Sequence, residues 1–250
     1  MRGRDTSFGL SANALKTIAI VAMLIDHLAH ALVAPGSFAY VAMRFVGRQT
    51  APIMFYFIAE GYRHTRDKNK YSLRLAVFAT ISYLPFVWFM TGGLPDSQSF
   101  LRLNVMYTLL IAYLALRAYK EIENKLLRLL AVFALAALSL PGDWSYLAVL
   151  YVLAFAHFEG DFKRQVIAFF VVTVVTGAED YVYLLYRLIA GLPLPDSALA
   201  VALINLGRFL PIGLLYFYNG SKGRGGAWAK WAFYAFYPLH LILLSALALR

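Results

Sequence analysis

Apolar residues form long, nearly uninterrupted stretches along the chain, and polar residues gather in short segments between them. The first stretch, residues 12–33, has about the length of one bilayer crossing, roughly 20 residues, and shows no small-residue cleavage site. It predicts a transmembrane helix that the protein retains. The same criterion predicts eight further transmembrane helices, over residues 38–61, 72–90, 101–118, 126–140, 144–158, 164–177, 198–218 and 228–249.

Three of these segments, 126–140, 144–158 and 164–177, are shorter than a full crossing of about 18 residues, which makes them candidates for tilted, broken or re-entrant helices. Residues 181–190 combine aromatic side chains with a single cation, Arg187, and predict a helix lying at the membrane interface. The predicted fold class is an all-α polytopic membrane protein. Residues 1–250 form one domain, a bundle of about nine transmembrane helices.

The composition supports this class. Apolar residues make up 61% of the 250 residues and charged residues only 14%, more apolar surface than a soluble domain of this size can bury. The chain has no cysteine, so disulfides, thiolate metal sites and a cysteine nucleophile are excluded. Group-transfer chemistry would therefore use histidine, carboxylate or hydroxyl groups.

The formal net charge of +10 follows the order of the predicted helices. Loops at residues 35–37, 91–100 and 141–143 have no basic residue, whereas the connections on the opposite side are basic. This asymmetry predicts a cytoplasmic amino terminus and a periplasmic carboxyl terminus, and it explains the charge without a nucleic-acid partner. The basic residues assigned to the inner side are Arg2, Arg4, Arg63, Arg66, Lys68, Lys70, Arg74, Arg117, Lys120, Lys125, Arg128, Lys163, Arg164, Lys222, Arg224 and Lys230.

Several ionisable side chains lie inside predicted helices, where an ionised group costs at least about 2.5 to 3.5 kcal/mol unless it is paired or hydrated. Counting the rise per residue along alternating helices places most of them, together with Asn104, in the middle or outer half of the membrane. This convergence predicts a hydrated polar chamber inside the bundle. The ionisable residues concerned are Asp26, His27, His30, Arg44, Arg48, Arg208 and His240.

Three of these residues share the first helix. Asp26 and His30 are four residues apart and lie on one face, so the carboxylate can orient the His30 ring, whereas His27 points about 100° away from Asp26. The competing interpretation is structural: an ion pair between Asp26 and Arg48 would hold two helices together, and the histidines would be ordinary core groups.

The inner connection at residues 218–226 combines four glycines with two cations. Glycine-rich backbone can turn its N–H groups towards a phosphate, so Asn219, Gly220, Lys222 and Arg224 are candidates for a nucleotide-like head group. Arg63 and Arg66, in another basic inner loop, are further candidates. A flexible cationic loop explains both stretches without a ligand. No P-loop and no zinc-spaced histidine pair is present, so no metal is expected.

Six short motifs follow one another along the chain: LKTIA at residues 15–19, MLIDH at 23–27, RFVGRQTAPI at 44–53, EGY at 60–62, YNG at 218–220 and YPLHL at 237–241. In this order they resemble the TraX family of bacterial inner-membrane proteins. The resemblance covers nearly the whole chain and implies a single transmembrane acyltransferase-like domain, multi-pass in the inner membrane. The founding member of that family acetylates the amino terminus of a conjugative pilin.

The wider superfamily of membrane acyltransferases takes acyl groups from cytosolic acyl-CoA and uses a histidine on an early helix, which carries over to His27. The resemblance thus implies acetyl-CoA as donor and His27 as general base or acyl carrier. The acceptor would be an amine or hydroxyl of a peptide, sugar or lipid, and an oligomer is compatible with the sequence. Further roles are expected in catalysis for Asp26, Arg48, Asn104 and His240, in donor binding for Lys222, Arg224, Asn219, Gly220, Arg63 and Arg66, and in acceptor binding for Arg44, His30 and Arg208.

Two other classes of function remain open. In a small secondary transporter or proton-coupled carrier, Asp26, His27, Arg48 and His240 would relay protons or bind an anion at mid-membrane. In a non-catalytic assembly subunit, the same groups would serve only as structural ion pairs. The first alternative gives no reason for the glycine-rich cationic loop on the inner face.

Overall fold

The computed structural model describes residues 9–248, and within them every regular element is helical. The all-helical class is therefore confirmed. Arg2, Arg4 and Arg250 lie outside the described residues. The helices are α1 (Ala12–Leu32), α2 (Phe38–Gly47), α3 (Thr50–His64), α4 (Lys68–Ile81), α5 (Tyr83–Thr91), α6 (Val105–Glu121), α7 (Lys125–Leu138), α8 (Leu147–His157), α9 (Phe162–Ile189), α10 (Asp196–Leu206), α11 (Leu210–Tyr216) and α12 (Gly226–Ala248), with a 3-10 turn at Gly207–Phe209 between α10 and α11.

Among the described residues, four helical segments are long and apolar enough to cross a membrane. The pair α4 and α5, bent by 40° at its break, adds a fifth if it forms one crossing. The predicted total of nine crossings and the predicted orientation of the termini stay predictions. The four segments are Ala12–Leu32, Phe162–Ile189, Asp196–Tyr216 and Trp228–Ala248.

Two predicted helices, residues 38–61 and 72–90, are each broken into two. The first breaks after Gly47, where Arg48 caps α2 and α3 starts only at Thr50. The second breaks at Ser82, and Pro85 lies in the first turn of α5. Proline has no N–H to donate to the carbonyl four residues earlier, so a straight helix cannot continue there.

The separate predictions for residues 164–177 and 181–190 are also wrong, because both segments belong to the single helix α9. Glu179 and Asp180, which lie between the two predicted segments, are both inside this helix. In the structure, the amide of Asn205 on α10 donates to the Asp180 carboxylate over 2.7 Å. This contact satisfies the carboxylate within the helix pair, so the helix continues.

The described chain divides into two compact units, each assembled from separate stretches of sequence. The first unit contains residues up to Ile53 and the stretch Val166–Gly225. In it α1 packs on α2, and α2 packs on α10 and the 3-10 turn. Two glycines permit these close approaches: a Cβ on Gly47 would overlap the Asp26 side chain, and one on Gly207 would overlap the carbonyl oxygen of Phe45.

The second unit contains Met54–Gln165 and the residues from Gly226 onwards, and α6 is its centre. This helix packs against α4, α7 and α8, while α12 packs against α4 and α5. Tyr113 and Leu116 of α6 are fully buried. On α3, Phe55 stacks on Tyr151 of α8, with 5.8 Å between the ring centres. Aromatic side chains therefore supply much of this unit's core.

Replacing Gly207 by alanine should destabilise the protein. The new methyl group would collide with backbone at Phe45, which cannot move aside as a flexible side chain would, so we expect a loss of about 1 to 3 kcal/mol. Gly213 in α11 is the matched control, because a Cβ there meets no atom within 4 Å. Thermal unfolding in detergent should show a lower Tm for G207A and an unchanged or higher Tm for G213A. Equal Tm values would contradict the close packing.

Candidate functional site

The first unit places a carboxylate and a guanidinium together between α1 and α2. Nη1 of Arg44 donates to Oδ2 of Asp26 over 2.6 Å, and the two side chains are 18% and 16% exposed. Oδ1 of Asp26 and Nε of Arg44 are buried and have no hydrogen-bond partner among the described residues. The pair thus joins two helices and keeps one carboxylate oxygen and one guanidinium N–H uncommitted.

Arg48, the predicted partner of Asp26 in the structural alternative, lies one turn further along. It caps α2 and remains within electrostatic range of the Asp26 carboxylate, although Arg44 forms the close ion pair. A Cβ on Gly207 would lie only 3.1 Å from the Cβ of Arg48, so the absence of a side chain there relieves crowding between the 3-10 turn and Arg48. Arg208 follows on that turn and reaches Gly177 of α9. Four predicted site residues, Asp26, Arg44, Arg48 and Arg208, therefore occupy the same unit.

The two histidines of α1 differ in exposure. His27 is half-buried, whereas His30, three residues further on, is exposed. His30 lies within electrostatic range of Arg44. His27 is therefore the more shielded of the two imidazoles, and its predicted role as a base stays a prediction.

His240 and Asn104 belong to the second unit. His240 is 4% exposed, its Nδ1 lies 2.8 Å from the Phe236 carbonyl oxygen, and its ring stacks on that of Phe236. A carbonyl only accepts, so Nδ1 carries the proton in the neutral ring and Nε2 carries the lone pair. This tautomer leaves Nε2 as the basic nitrogen.

Asn104 performs a structural task in the second unit. It is 1% exposed, its side-chain oxygen accepts the Tyr107 N–H at the start of α6, and its amide donates to the Ala79 carbonyl over 2.8 Å. These two bonds cap α6 and tie it to α4. Its predicted role in catalysis stays a prediction.

A strained loop precedes α8 in the same unit, and the sequence pattern did not point to it. Trp144 and Ser145 have φ values of 68° and 46°, in the left-handed region that residues with a Cβ seldom adopt. The Thr108 hydroxyl donates to the Asp143 carbonyl, and buried Tyr237 lies within electrostatic range of the Asp143 side chain. Such strain persists where surrounding contacts enforce it and is common at functional sites. The only available signal was the preceding Pro-Gly pair, which marks a turn.

The glycine-rich loop is anchored to the amino end of α1. The N–H groups of Ala12 and Asn13 donate to the carbonyls of Ser221 and Lys222, and the Asn13 amide donates to the Arg224 carbonyl. Within the loop, the Asn219 side chain accepts from Ser221. Loop carbonyls therefore satisfy donors of the first turn of α1 that would otherwise be unpaired.

The loop side chains of Lys222 and Arg224 are exposed, as is Gly220, whose φ of 77° a residue with a side chain would rarely adopt. The anchoring fixes the backbone and leaves both cations free to point into solvent. We call Lys222 and Arg224 on this anchored backbone the cationic platform. The loop is therefore ordered, whereas its composition alone suggested a flexible one.

The predicted basic pair in the other inner loop is divided. Arg63 forms ion pairs with Glu60 and Glu159, 3.7 and 3.5 Å long, while Arg66 is exposed. A competing anion would have to displace two carboxylates from Arg63. Arg63 therefore links the ends of α3 and α8, and Arg66 is the more accessible cation.

A denser ion-pair network lies nearby at the end of α6, where Glu121 contacts both Lys68 and Arg117. Partial burial acts to raise the pKa of Glu121, but hydrogen bonds from Arg117 and Lys68 outweigh it and hold that pKa below its ordinary value. The Tyr62 hydroxyl lies within 3.2 Å of the same carboxylate. Glu121 is thus an ionised carboxylate whose ion-pair partners are Lys68 and Arg117.

In residues 9–248, no group of three histidine, aspartate or glutamate side chains is arranged to hold a metal ion.

Comparison with known proteins adds a family and a relative. The profile of the family described as TraX protein matches residues 11–248. A protein of Dichelobacter nodosus named "Probable fimbrial assembly protein FimC, serogroup H1" is 36% identical over 243 residues, which cover 94% of this chain and 95% of the relative. No solved structure matches the chain.

Removing both members of the Asp26–Arg44 pair should destabilise the protein by less than the two single removals added together. D26N or R44Q leaves a buried charge uncompensated, and we expect each to cost about 2 to 4 kcal/mol, with the double variant costing less than the sum. R164Q is the control, because its pair with Asp161 is exposed and contributes under about 0.5 kcal/mol. Unfolding in a double-mutant cycle measures the coupling, and additive losses would contradict a functional pairing of these groups.

Proposed function

We propose, from the premise that this chain belongs to the TraX family, that it is a membrane-bound acetyltransferase. It transfers the acetyl group of acetyl-CoA to an amine or hydroxyl group at the membrane or on its periplasmic side. The observation that carries the proposal is the half-buried His27 on α1, the helix that the Asp26–Arg44 ion pair holds against α2, inside the region that matches the family.

The name of the relative supplies the first acceptor to test. That protein is named a fimbrial assembly protein, and a fimbrial subunit offers a free amine at its amino terminus. We therefore propose the amino group of a fimbrial or pilin subunit as acceptor, ahead of a sugar or lipid hydroxyl. Uncharged amines are better nucleophiles than hydroxyls, so less help from a base is needed.

The chemistry proposed for His27 is general-base catalysis. The acceptor nitrogen bonds to the acetyl carbonyl carbon, the carbon–sulfur bond of the thioester breaks, and His27 takes the proton that the nitrogen loses and passes it to the leaving CoA thiolate. A positioned base of this kind contributes about 10²- to 10⁴-fold. The charge that develops on the carbonyl oxygen would be stabilised by Arg48 of the same unit.

Donor binding is assigned to the cationic platform of the glycine-rich loop. CoA carries several phosphate groups, and exposed lysine and arginine side chains bind phosphates through charge-assisted hydrogen bonds. Lys222 and Arg224 extend from a backbone that is held by α1. Because the loop is ordered before the donor arrives, binding would cost less conformational entropy than it would for a flexible loop.

The decisive experiment replaces His27 by alanine in purified protein supplied with labelled acetyl-CoA and a fimbrial-subunit peptide. We expect peptide acetylation to fall by about 10²-fold or more. H64A is the matched control, because His64 is an exposed histidine at the end of α3, and its activity should equal that of the wild type.

Three results would contradict the proposed function. Unchanged acetylation in H27A would remove His27 from the mechanism. Absence of any CoA release from the wild type with amine, sugar and lipid acceptors would exclude the reaction. Uptake of a solute into liposomes without acetyl-CoA would support the transporter alternative instead.

Binding of the acetyl-CoA donor is tested at the glycine-rich loop. Replacing Lys222 and Arg224 together by glutamine should raise KM for acetyl-CoA about tenfold or more and leave kcat nearly unchanged, because phosphate contacts are equal in the ground and transition states. The backbone carbonyls that hold α1 remain in this variant, so folding should be preserved. A double variant of Lys70 and Lys125, two other exposed inner-side lysines, is the control with unchanged KM. Equal KM values in the two double variants would place the CoA phosphates elsewhere.

A further inference from the structure

One arginine of the second unit has no part in the proposed reaction and has unusual surroundings. Arg74 lies two turns into α4, half-buried, with its guanidinium 5.2 Å from the ring centre of Tyr71. The guanidinium also donates a hydrogen bond to the hydroxyl of Tyr234 on α12. Its Nε is buried and has no hydrogen-bond partner among the described residues. We define Tyr71, Arg74 and Tyr234 as the Arg74 site.

The charge of Arg74 is not balanced by an acidic side chain in any ion pair of the described residues, although most other inner cations of this unit are in such pairs. Glu121, an acidic group near this part of α6, is already bound to Lys68 and Arg117. Tyrosine rings attract a cation but do not neutralise it. A half-buried arginine among phenol groups therefore offers N–H and O–H donors to an anion and has no charged acceptor in any ion pair of the described residues.

The depth of the Arg74 site is marked by tryptophans on α12. Trp228 is 80% exposed and Trp231 is 48% exposed, one helical turn apart on one face. Lys230 lies between them, with its ammonium 4.8 Å from the Trp231 ring centre. Exposed tryptophans beside lysine are typical of the level of lipid headgroups, where the rings contact acyl chains and the polar atoms contact water.

The same face connects to the Arg74 site through aromatic contacts. Phe78 of α4 stacks on Tyr234 at 4.9 Å and lies 6.3 Å from Trp231, measured between ring centres. An apolar wall thus runs from the exposed tryptophan to the guanidinium. A ligand with both an acyl chain and a phosphate would match this combination, with its chain on the aromatic wall and its phosphate at Arg74.

We propose that the Arg74 site binds the phosphodiester of an anionic phospholipid in the inner leaflet. The phosphate would accept from the guanidinium, which offers two parallel N–H groups to oxyanions, and from the Tyr234 hydroxyl. The net negative charge of such a lipid balances the charge that no carboxylate neutralises. The bound lipid would join α4 to α12, so it would stabilise the second unit and not the reaction itself.

The test measures binding of short-chain phosphatidylglycerol to the full-length protein in neutral detergent, followed by thermal unfolding in nanodiscs. The wild type should bind phosphatidylglycerol and unfold at a higher temperature in nanodiscs that contain it than in nanodiscs of phosphatidylcholine alone. R74Q should bind phosphatidylglycerol about tenfold more weakly or worse, since a charge-assisted pair is lost, and its thermal shift should disappear. R164Q is the control, because Arg164 is an exposed arginine that is also assigned to the inner side, and its loss should leave both measurements unchanged.

Two further arms distinguish the source of the phosphate and protect against misfolding. Inorganic phosphate and CoA are tested in place of lipid; Arg74-dependent binding of either, with none of phosphatidylglycerol, would overturn the lipid assignment. If R74Q does not fold, R74K keeps the charge but loses the paired N–H groups and should bind about threefold more weakly or worse. Wild-type affinity in R74Q or R74K would likewise overturn the proposal.

Discussion

A charge inside a membrane must find its partner within the protein, and the Asp26–Arg44 ion pair meets this requirement at the centre of the first unit. Removing either charge from water is costly, and only the other charge at hydrogen-bond distance offsets that cost. The packing around the pair follows from it. Gly47 has no side chain where Asp26 needs space, and Gly207 allows the next layer to approach α2. The break after α2 likewise sets Arg48 at a helix end, close to the same carboxylate.

The proposed chemistry depends on this arrangement because a base is effective only where its surroundings are fixed. His27 follows Asp26 in a helix that the ion pair holds against α2, so its position is set by contacts that have nothing to do with substrate. The backbone of the glycine-rich loop is held separately, by its hydrogen bonds to the first turn of α1. The amino end of α1 and the turn that contains Asp26 are therefore both held by the first unit, which would fix the position of the base proposed on this helix.

Features that depend on neighbouring residues could be predicted from the sequence, and features that depend on distant ones could not. The first helix was predicted within one residue of its observed end, since its apolar length and its capping Ser11 are local. The helix predicted over residues 101–118 was also located from its local apolar length, although it begins later, at Val105 after the capping Asn104. No local pattern predicted three features: the break at Arg48, the continuity of α9 and the left-handed backbone of Trp144. Each depends on residues that are distant in sequence, as the contact between Asn205 and Asp180 shows for α9. Candidate charges could be identified in the sequence, but which of Arg44 and Arg48 would bind Asp26 required the geometry of two helices.

The hydrogen bonds between α1 and the glycine-rich loop also have a consequence for the order of folding. Ala12 and Asn13 leave the ribosome about two hundred residues before their partners at Ser221 and Lys222. Until then, the first turn of α1 depends on water for its donors. Closure of the first unit is consequently a late event of biogenesis, and chains truncated before this loop would keep an unfinished first helix however well it had already entered the membrane.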